Sequence, residues 1–466
     1  MVVDAQDYYR LVRQAMLEAR EQILLIGWDF DTRIDLDREQ ADADDAPYTL
    51  GRFVSWLAEH RPRLQIHILK WDLGAIKLLG RGDTVLRVVG WASHGRIHFR
   101  FDGAHPAGGS HHQKIVVIDD QLAFCGGIDM TGSRWDTRAH KPADPRRRRP
   151  TTRRRYMPWH DATMAVSGEA ARALGDLGRK RWEAASGETL PAPTAATDPW
   201  PEALKPQFRK AQVAIARTRG ETQEREEVRE IETLFLDLIR IAKHFVYIET
   251  QYFASRVIAD AIMERLAGQA PPEFVMVNPK TADGWLEEQV MGPARAELMQ
   301  AIAACDKRGN FRVYTPVNSA GEDIYVHAKI MVVDDLVLRI GSANMNNRSM
   351  GLDSECDLLI DSRLPANAGA EKTIAHIRAD LMAEHLGCTI PEVERRFADT
   401  GSLIQTVETL RGEGRTLRSF TPPAFPEAQR RFAHSEALDP EAAGGLFEPV
   451  ATPGLLRGLR GRLAWG

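Results

Sequence analysis

Residues 326–344 read VHAKIMVVDDLVLRIGSAN, and residues 110–129 read SHHQKIVVIDDQLAFCGGID. Each stretch opens with a His and a Lys two positions apart at the head of an apolar run. An Asp-Asp pair follows, then a second apolar run that closes on small residues. Each predicts a strand, a tight turn on the Asp-Asp pair and a second strand. Side chains alternate faces along a strand, so His112, Lys114, Val116 and Ile118 share one face, as do His327 and Lys329. Asp119 and Asp334 fall on the opposite face at the strand end. They are expected to fix the turn rather than reach the histidine of their own strand.

A single spacing of this kind carries little weight, but two copies in the same order set the architecture. The surroundings repeat as well. Residues 7–21 have helical spacing and lead into ILLIGWDF, and REIETLFLDLIRIAKH leads into FVYIETQYF. A further strand is expected at LQIHIL in the first half and at EFVMVN in the second. The reading is an α/β protein with two homologous lobes, residues 1–190 and 209–400. The Pro-, Ala- and Thr-rich stretch SGETLPAPTAATDPWPEALKP supplies a linker over 191–208. From 401 to 466 the composition shifts to Gly, Pro and Arg, and a loosely packed tail is expected.

The bulk properties exclude several classes. A chain of 466 residues exceeds one hydrophobic core, and a net charge of −4 does not mark a nucleic-acid binder. The four cysteines form no CxxC pair, so neither a zinc nor a redox motif is indicated. Cys125 and Cys356 sit in apolar runs and read as small core residues. MVVDAQDYYRLVRQ lacks the pattern of a secretory signal, and no apolar stretch is long enough to cross a bilayer. The expected location is cytoplasmic, with peripheral membrane contact as an option.

The small residues Gly126-Gly127 and Gly341-Ser342 are expected to let the backbone approach a ligand. Asn344 can donate to an anionic oxygen. Two Lys–His pairs and an asparagine converging on one point suit a tetrahedral phosphate, with Lys114, Lys329 and Asn344 as the phosphate-binding groups. Asp129 stands where the second copy has Asn344. An anion there repels phosphate, so Asp129 is not assigned to the substrate. Asp161, in HDATMAVSG, aligns in the repeat with Glu355, in DSECDLLID. Both are expected to orient the histidines. His111 and His160 read as packing neighbours of the site.

The paired motifs resemble the HxKxxxxDxxxxxxG[GS]x[ND] signature of the phospholipase D superfamily. GGIDMTGSRWDT, PWHDATMAVSGEAARAL, YIETQYF and NRSMGLDSE are similar to segments of the phospholipase D enzymes proper. The resemblance runs from about residue 4 to residue 385. It implies two α/β/α sandwich lobes related by pseudo-twofold symmetry, with the active site at their interface. It also implies a two-step phosphodiester reaction through a phosphohistidine, without metal or cofactor. The catalytic set so implied is His112, Lys114, Asp119, His327, Lys329 and Asp334, with His112 as nucleophile and His327 as acid and base.

The functional expectation is hydrolysis of a phospholipid to phosphatidic acid, with transfer to other alcohols as a side activity. A cardiolipin synthase-type phosphatidyltransferase, a nuclease and a non-catalytic binding protein are the alternatives. No obligate nucleic-acid partner is expected. The duplication supplies both halves of the site, so a monomer suffices. Between Trp135 and Trp159 lies DTRAHKPADPRRRRPTTRRRYMP, expected at the site's mouth. Its Arg146–Arg155 segment could meet an anionic membrane, track a nucleic-acid backbone or remain solvated, and the membrane reading is favoured. The closing PGLLRGLRGRLAWG is a candidate interfacial segment.

Overall fold

The computed structural model describes residues 1–39, 44–72, 83–281 and 285–422. The closing PGLLRGLRGRLAWG lies outside the described residues. Two large sheets carry the fold. In the first the strand order is Val2–Val3, Ala162–Ser167, Leu122–Gly126, Ile115–Ile118, Gln22–Gly27, Gln65–Trp71 and Ile97–Asp102. In the second it is Val228–Arg229, Ala214–Arg219, Glu355–Asp361, Val337–Gly341, Ile330–Val333, Phe245–Glu249, Glu273–Val277, Phe311–Val317 and Thr416–Ser419. The six strands from Ala162–Ser167 to Ile97–Asp102 recur in the same order in the second sheet, from Glu355–Asp361 to Phe311–Val317. The repeat read from the sequence is therefore a repeat of topology.

Each sheet is covered on both faces, as its near-continuous apolar strands require. The helices Ala5–Leu17 and Leu50–His60 cover the outer face of the first sheet, through Tyr9, Val12, Phe53 and Leu57. Glu230–Ile241 and Arg256–Leu266 do the same for the second, through Phe235, Ile239 and Ile262. The inner faces share one continuous core. Leu24, Ile26, Ile115 and Val117 of the first sheet and Tyr247, Ile330, Val332 and Ile340 of the second pack there with Leu174 and Trp182 of Glu169–Ser186 and Ile374 and Leu381 of Glu371–Leu386. The two halves are thus held as one body by apolar burial, the dominant favourable term in folding.

The Asp-Asp turns are built alike. Asp119 and Asp120 have φ of 47° and 55°, and Asp334 and Asp335 have 53° and 54°. Two consecutive left-handed residues make the tight hairpin whose twist matches its strands. Aspartate tolerates this conformation when its carboxylate bonds nearby backbone. Asp120 pairs with Arg179 at 2.7 Å, and Asp335 with Arg378 at 2.7 Å, so each turn is pinned to the long helix that closes its half.

The expected loose tail is corrected for residues 401–422. Leu403 and Val407 of the helix Leu403–Leu410 and Leu417 of the strand Thr416–Ser419 are buried in the shared core. The Gly and Arg content of this stretch hides three well-spaced apolar anchors. Residues 423–466 lie outside the described residues. Among the described residues no helix is long and apolar enough to cross a membrane.

Candidate active site

The strands carrying the two motifs begin at Ile115 and Ile330, one residue after each lysine. The lead-in residues leave their own sheet and pair with the other half. His111 forms a parallel bridge with Ser354, and the His112 N–H donates to the Ser354 carbonyl at 3.0 Å. In the other copy Tyr325–Val326 pairs with Trp159–His160, and the His327 N–H donates to the His160 carbonyl at 2.7 Å. This exchange decides which acid meets which histidine. His112 Nδ1 lies 3.0 Å from both carboxylate oxygens of Glu355, and His327 Nδ1 lies 2.7 Å from Asp161 Oδ2. Each imidazole is held by a carboxylate of the opposite half.

The acids are themselves anchored. Glu355 is fully buried and accepts from the hydroxyls of Ser342 and Ser349, while Asp161 Oδ1 accepts the Ala162 N–H at 2.8 Å. A Cβ on Gly127 would come within 2.1 Å of Asp161 Oδ1, and one on Gly341 within 1.8 Å of Asp357 Oδ1. These glycines were expected to admit a ligand. They instead make room for acidic side chains of the neighbouring strand.

The motif lysines lie under the histidines. Lys114 Nζ donates to the His112 carbonyl at 2.8 Å, and Lys329 Nζ donates to the His327 carbonyl and to Gln251 Oε1. The two sides differ in their third partner. Asp129 Oδ2 stands 3.4 Å from Lys114, and its Oδ1 accepts the Trp28 and Asp29 N–H groups. Asp129 is therefore a paired anion, which removes the repulsion its position suggested. Asn344 is buried, and its Oδ1 accepts no hydrogen bond from the described residues.

Asp119 and Asp334 require a correction as catalytic residues. Asp119 accepts the N–H groups of Arg20, Glu21 and Gln22, and Asp334 those of Lys243, His244 and Phe245. Their carboxylates are spent on the chain entering the neighbouring strand, at the far end of the motif strand from the histidine. The strand-alternation argument gave this outcome, and the family signature did not.

The electrostatics follow from burial. Burial, then Lys114 and Lys329, push His112 well below the usual imidazole range, and burial, Lys329, Arg134 and Lys114 do the same for His327. Each histidine feels the lysine of the other half, so the four groups share one field. Burial lowers Lys329 to about 7 and raises Glu355 to about 7 and Asp161 to about 6. Grouped shifts of this kind are common at functional sites, although buried ion-pair networks produce them too.

Aromatic rings flank both histidines. Trp28 meets His112 edge-on at 6.4 Å and stacks on Trp71 at 5.6 Å, while Trp159 lies 5.2 Å from His327, stacked on Tyr325 and under Arg134. Sequence reading missed these tryptophans, Arg134 and Gln251 as site residues. Gln251 had a usable signal, since YIETQYF was already singled out. His111 is buried against Ser354, and His160 lies in a separate buried cluster behind Asp161.

The arginine segment is split in two. Arg146 pairs with Asp144 and Glu39, and Arg147 is buried against Asp136, whereas Arg149, Arg153, Arg154 and Arg155 are exposed.

This geometry sets the frame for comparison with known proteins. A family model described as phospholipase D matches residues 305–430. Phospholipase D1 of Schizosaccharomyces pombe is 25% identical over 516 residues, covering 88% of this chain and 37% of the relative. Phospholipase D A of Dictyostelium discoideum is 25% identical over 471 residues, covering 84% and 36%. The chain is similar to these phospholipases D over most of its own length. It spans about a third of the length of these curated relatives, with 37% and 36% covered. The crystal structure of phosphatidylserine synthase from Haemophilus influenzae matches with a TM-score of 0.55 at 13% identity, covering 86% of this chain and 93% of that one. At that identity the likeness is one of fold, and it agrees with the two helix-covered sheets described above.

Proposed function

We propose that this chain is a phosphodiesterase of the phospholipase D type that acts on phospholipids, and that His112, Lys114, His327, Lys329 and Asn344 carry the reaction. The crosswise pairing of two imidazoles with two buried carboxylates supports this reading most directly. A carboxylate on Nδ1 fixes the tautomer and leaves Nε2 with its lone pair. Two such rings, one from each half, provide a nucleophile and a proton carrier from a single chain.

His112 Nε2 attacks phosphorus, and the bond from phosphorus to the headgroup oxygen breaks. His327 delivers a proton to that oxygen, and the headgroup leaves as an alcohol. Water then gives a proton to His327 while its oxygen bonds to phosphorus and the P–N bond breaks. Phosphatidic acid is released and His112 is restored. The resting imidazoles are neutral because burial and two ammonium groups disfavour their charge. An arriving phosphodiester adds a negative charge, which raises His327 and makes it an acid when substrate is bound. Lys114, Lys329 and the Asn344 amide stabilise the non-bridging oxygens.

An alcohol in place of water at the second step yields a phosphatidyl ester, so the phosphatidyltransferase reading differs only in acceptor. The exposed Arg149 and Arg153–Arg155 support docking at an anionic lipid surface. The test is to give the protein mixed phospholipid vesicles with ethanol, and separately plasmid DNA. Phosphatidic acid and phosphatidylethanol are expected, with both lost in His112→Ala and in His327→Ala. Nicked plasmid without lipid turnover would reject the proposal.

A further inference from the structure

Directly behind Asp161 lies a buried cluster that the reaction above does not use. The His160 ring has no solvent exposure. Its Nε2 lies 2.7 Å from Glu249 Oε2, and its Nδ1 lies 3.1 Å from Glu384 Oε1 and 3.3 Å from Asp4 Oδ1. His140, also fully buried, stands 3.0 Å from Asp136 and 3.0 Å from Glu384. His385 Nε2 meets Glu249 Oε1 at 3.0 Å, and the Tyr247 hydroxyl donates to the same oxygen at 2.6 Å. Arg138 pairs with Glu384 and Asp380, Arg147 pairs with Asp136, and Arg415 acts on Glu384, Asp4 and Asp136 from the segment before the last strand.

An ionised carboxylate only accepts hydrogen bonds. A ring with a carboxylate oxygen against each nitrogen satisfies both contacts only by donating from both. That ring is an imidazolium. His160 and His140 are in this position, whereas among the described residues His385 has a carboxylate on Nε2 alone and no hydrogen-bond partner on Nδ1. Burial opposes the charge, but Glu249 and Glu384 together outweigh it and raise His160 well above its usual range.

The cluster is coupled to the reaction through the backbone. The His160 carbonyl accepts the His327 N–H at 2.7 Å. The next residue is Asp161, whose carboxylate holds His327 Nδ1. Asp4 grips Asp161 at both ends: its Oδ1 accepts the Asp161 N–H at 3.1 Å, and its own N–H donates to the Asp161 carbonyl at 2.8 Å. We propose that His160 is a positioning residue for His327: an imidazolium clamped between Glu249 and Glu384, it fixes the backbone that aims Asp161 at the His327 ring. The clamp joins the strand Phe245–Glu249 and the helix Glu371–Leu386 of the second half to the segment Trp159–His160 of the first. The orientation of one catalytic ring therefore depends on a helix that makes no hydrogen bond or ion pair with it among the described residues.

This inference rests on the phospholipase reading, and its test separates the two. His160→Gln and the near-isosteric Glu249→Gln are assayed on phosphatidylcholine vesicles across pH. A loosened Asp161 stabilises the His327 imidazolium less. Asp161, Lys329, Lys114, Arg134 and His112 are the charged and titratable groups that bear on that ring. The expected result is a roughly 10- to 100-fold fall in kcat with KM within twofold. The basic limb of the kcat profile, which reports the proton on His327, moves to lower pH. A role confined to folding would lower the active fraction and leave that limb in place. Wild-type protein inactive on lipid defeats the phospholipase reading. Active wild type with folded variants of unchanged kcat and pH profile defeats this inference alone. Should neither variant fold, ¹⁵N-histidine-labelled wild type decides the protonation state. Two rings doubly protonated at pH 8 are expected, and neutral rings, or a stoichiometric bound metal in elemental analysis, would overturn the clamp.

Discussion

Glu355, from the second half of the chain, holds Nδ1 of His112, from the first, with both carboxylate oxygens at 3.0 Å. The bond spans 243 residues of sequence and makes the orientation of His112, the proposed nucleophile, a property of both halves together. Replacing the acid with its amide keeps the shape and removes the charge that supports His112 as bonds form at Nε2. Glu355→Gln is expected to lower kcat roughly 100-fold, with little change in KM. Initial rates of phosphatidic acid release check it, and a variant within twofold of wild type would show that the pair is not used.

The same substitution should stabilise the fold at neutral and alkaline pH. Glu355 is raised from 4.5 to about 7 by burial. Below the lower value it is neutral in both the folded and unfolded states. Between the two values the unfolded chain sheds its proton first, so stability falls as pH rises, and above about 7 the full cost remains. The cost is about 3 kcal/mol at most. Lys329, lowered from 10.5 to about 7, acts in the opposite sense above neutrality, so variant and wild type are compared at each pH. Denaturant midpoints should converge near pH 4 and separate in favour of Glu355→Gln by pH 8. A constant difference across that range would refute the buried charge.

Asp119 and Asp334 yield a prediction of the reverse kind. Each accepts three backbone N–H groups and neither touches the site. Asp119 is buried and Asp334 half-exposed. Asp119→Ala strands the buried Gln22 N–H among its three donors and should cost about 3 kcal/mol, whereas Asp334→Ala should cost about 1 kcal/mol. Activity per folded molecule should be preserved in both. Urea unfolding with activity titrated against the folded fraction tests this. A folded Asp119→Ala protein lacking turnover would return the residue to the catalytic set.

Much of the architecture was legible because its signals are local. The continuous apolar runs of Ile115–Ile118 and Ile330–Val333 and the helical spacing before each first strand are set within a dozen residues. The repeat then aligned Asp161 with Glu355. What stayed hidden depends on contacts distant in sequence. That His327 meets Asp161 rather than Glu355 follows from Trp159–His160 pairing with Tyr325–Val326, 166 residues away in the chain. The buried cluster was illegible for the same reason. Asp4, Asp136, Glu249 and Glu384 lie in four separate segments, and only the fold makes His160 more than a neighbour of Asp161. Residues 401–422 were misread because the Gly, Pro and Arg bias was taken over the whole of 401–466, while Leu403, Val407 and Leu417 do the packing.

The arginine segment divides into groups with opposite expected phenotypes. Arg153, Arg154 and Arg155 are exposed, and Arg154 and Arg155 have no acidic partner among the described residues. Each basic residue near an anionic surface contributes about 1 kcal/mol, so the triple change to Gln should weaken binding to phosphatidylserine-containing vesicles roughly 100-fold. The loss should shrink as salt is raised, because exposed charges are screened. Arg147 is 2% exposed and paired with Asp136 at 3.0 Å. Arg147→Gln removes one of the two cations on buried Asp136, leaving His140, and should cost about 3 kcal/mol of stability, with vesicle affinity unchanged. Sedimentation with anionic and with zwitterionic vesicles, alongside thermal denaturation, reads both effects. Equal binding of the triple variant and wild type to anionic vesicles at low salt would remove this segment from any membrane contact.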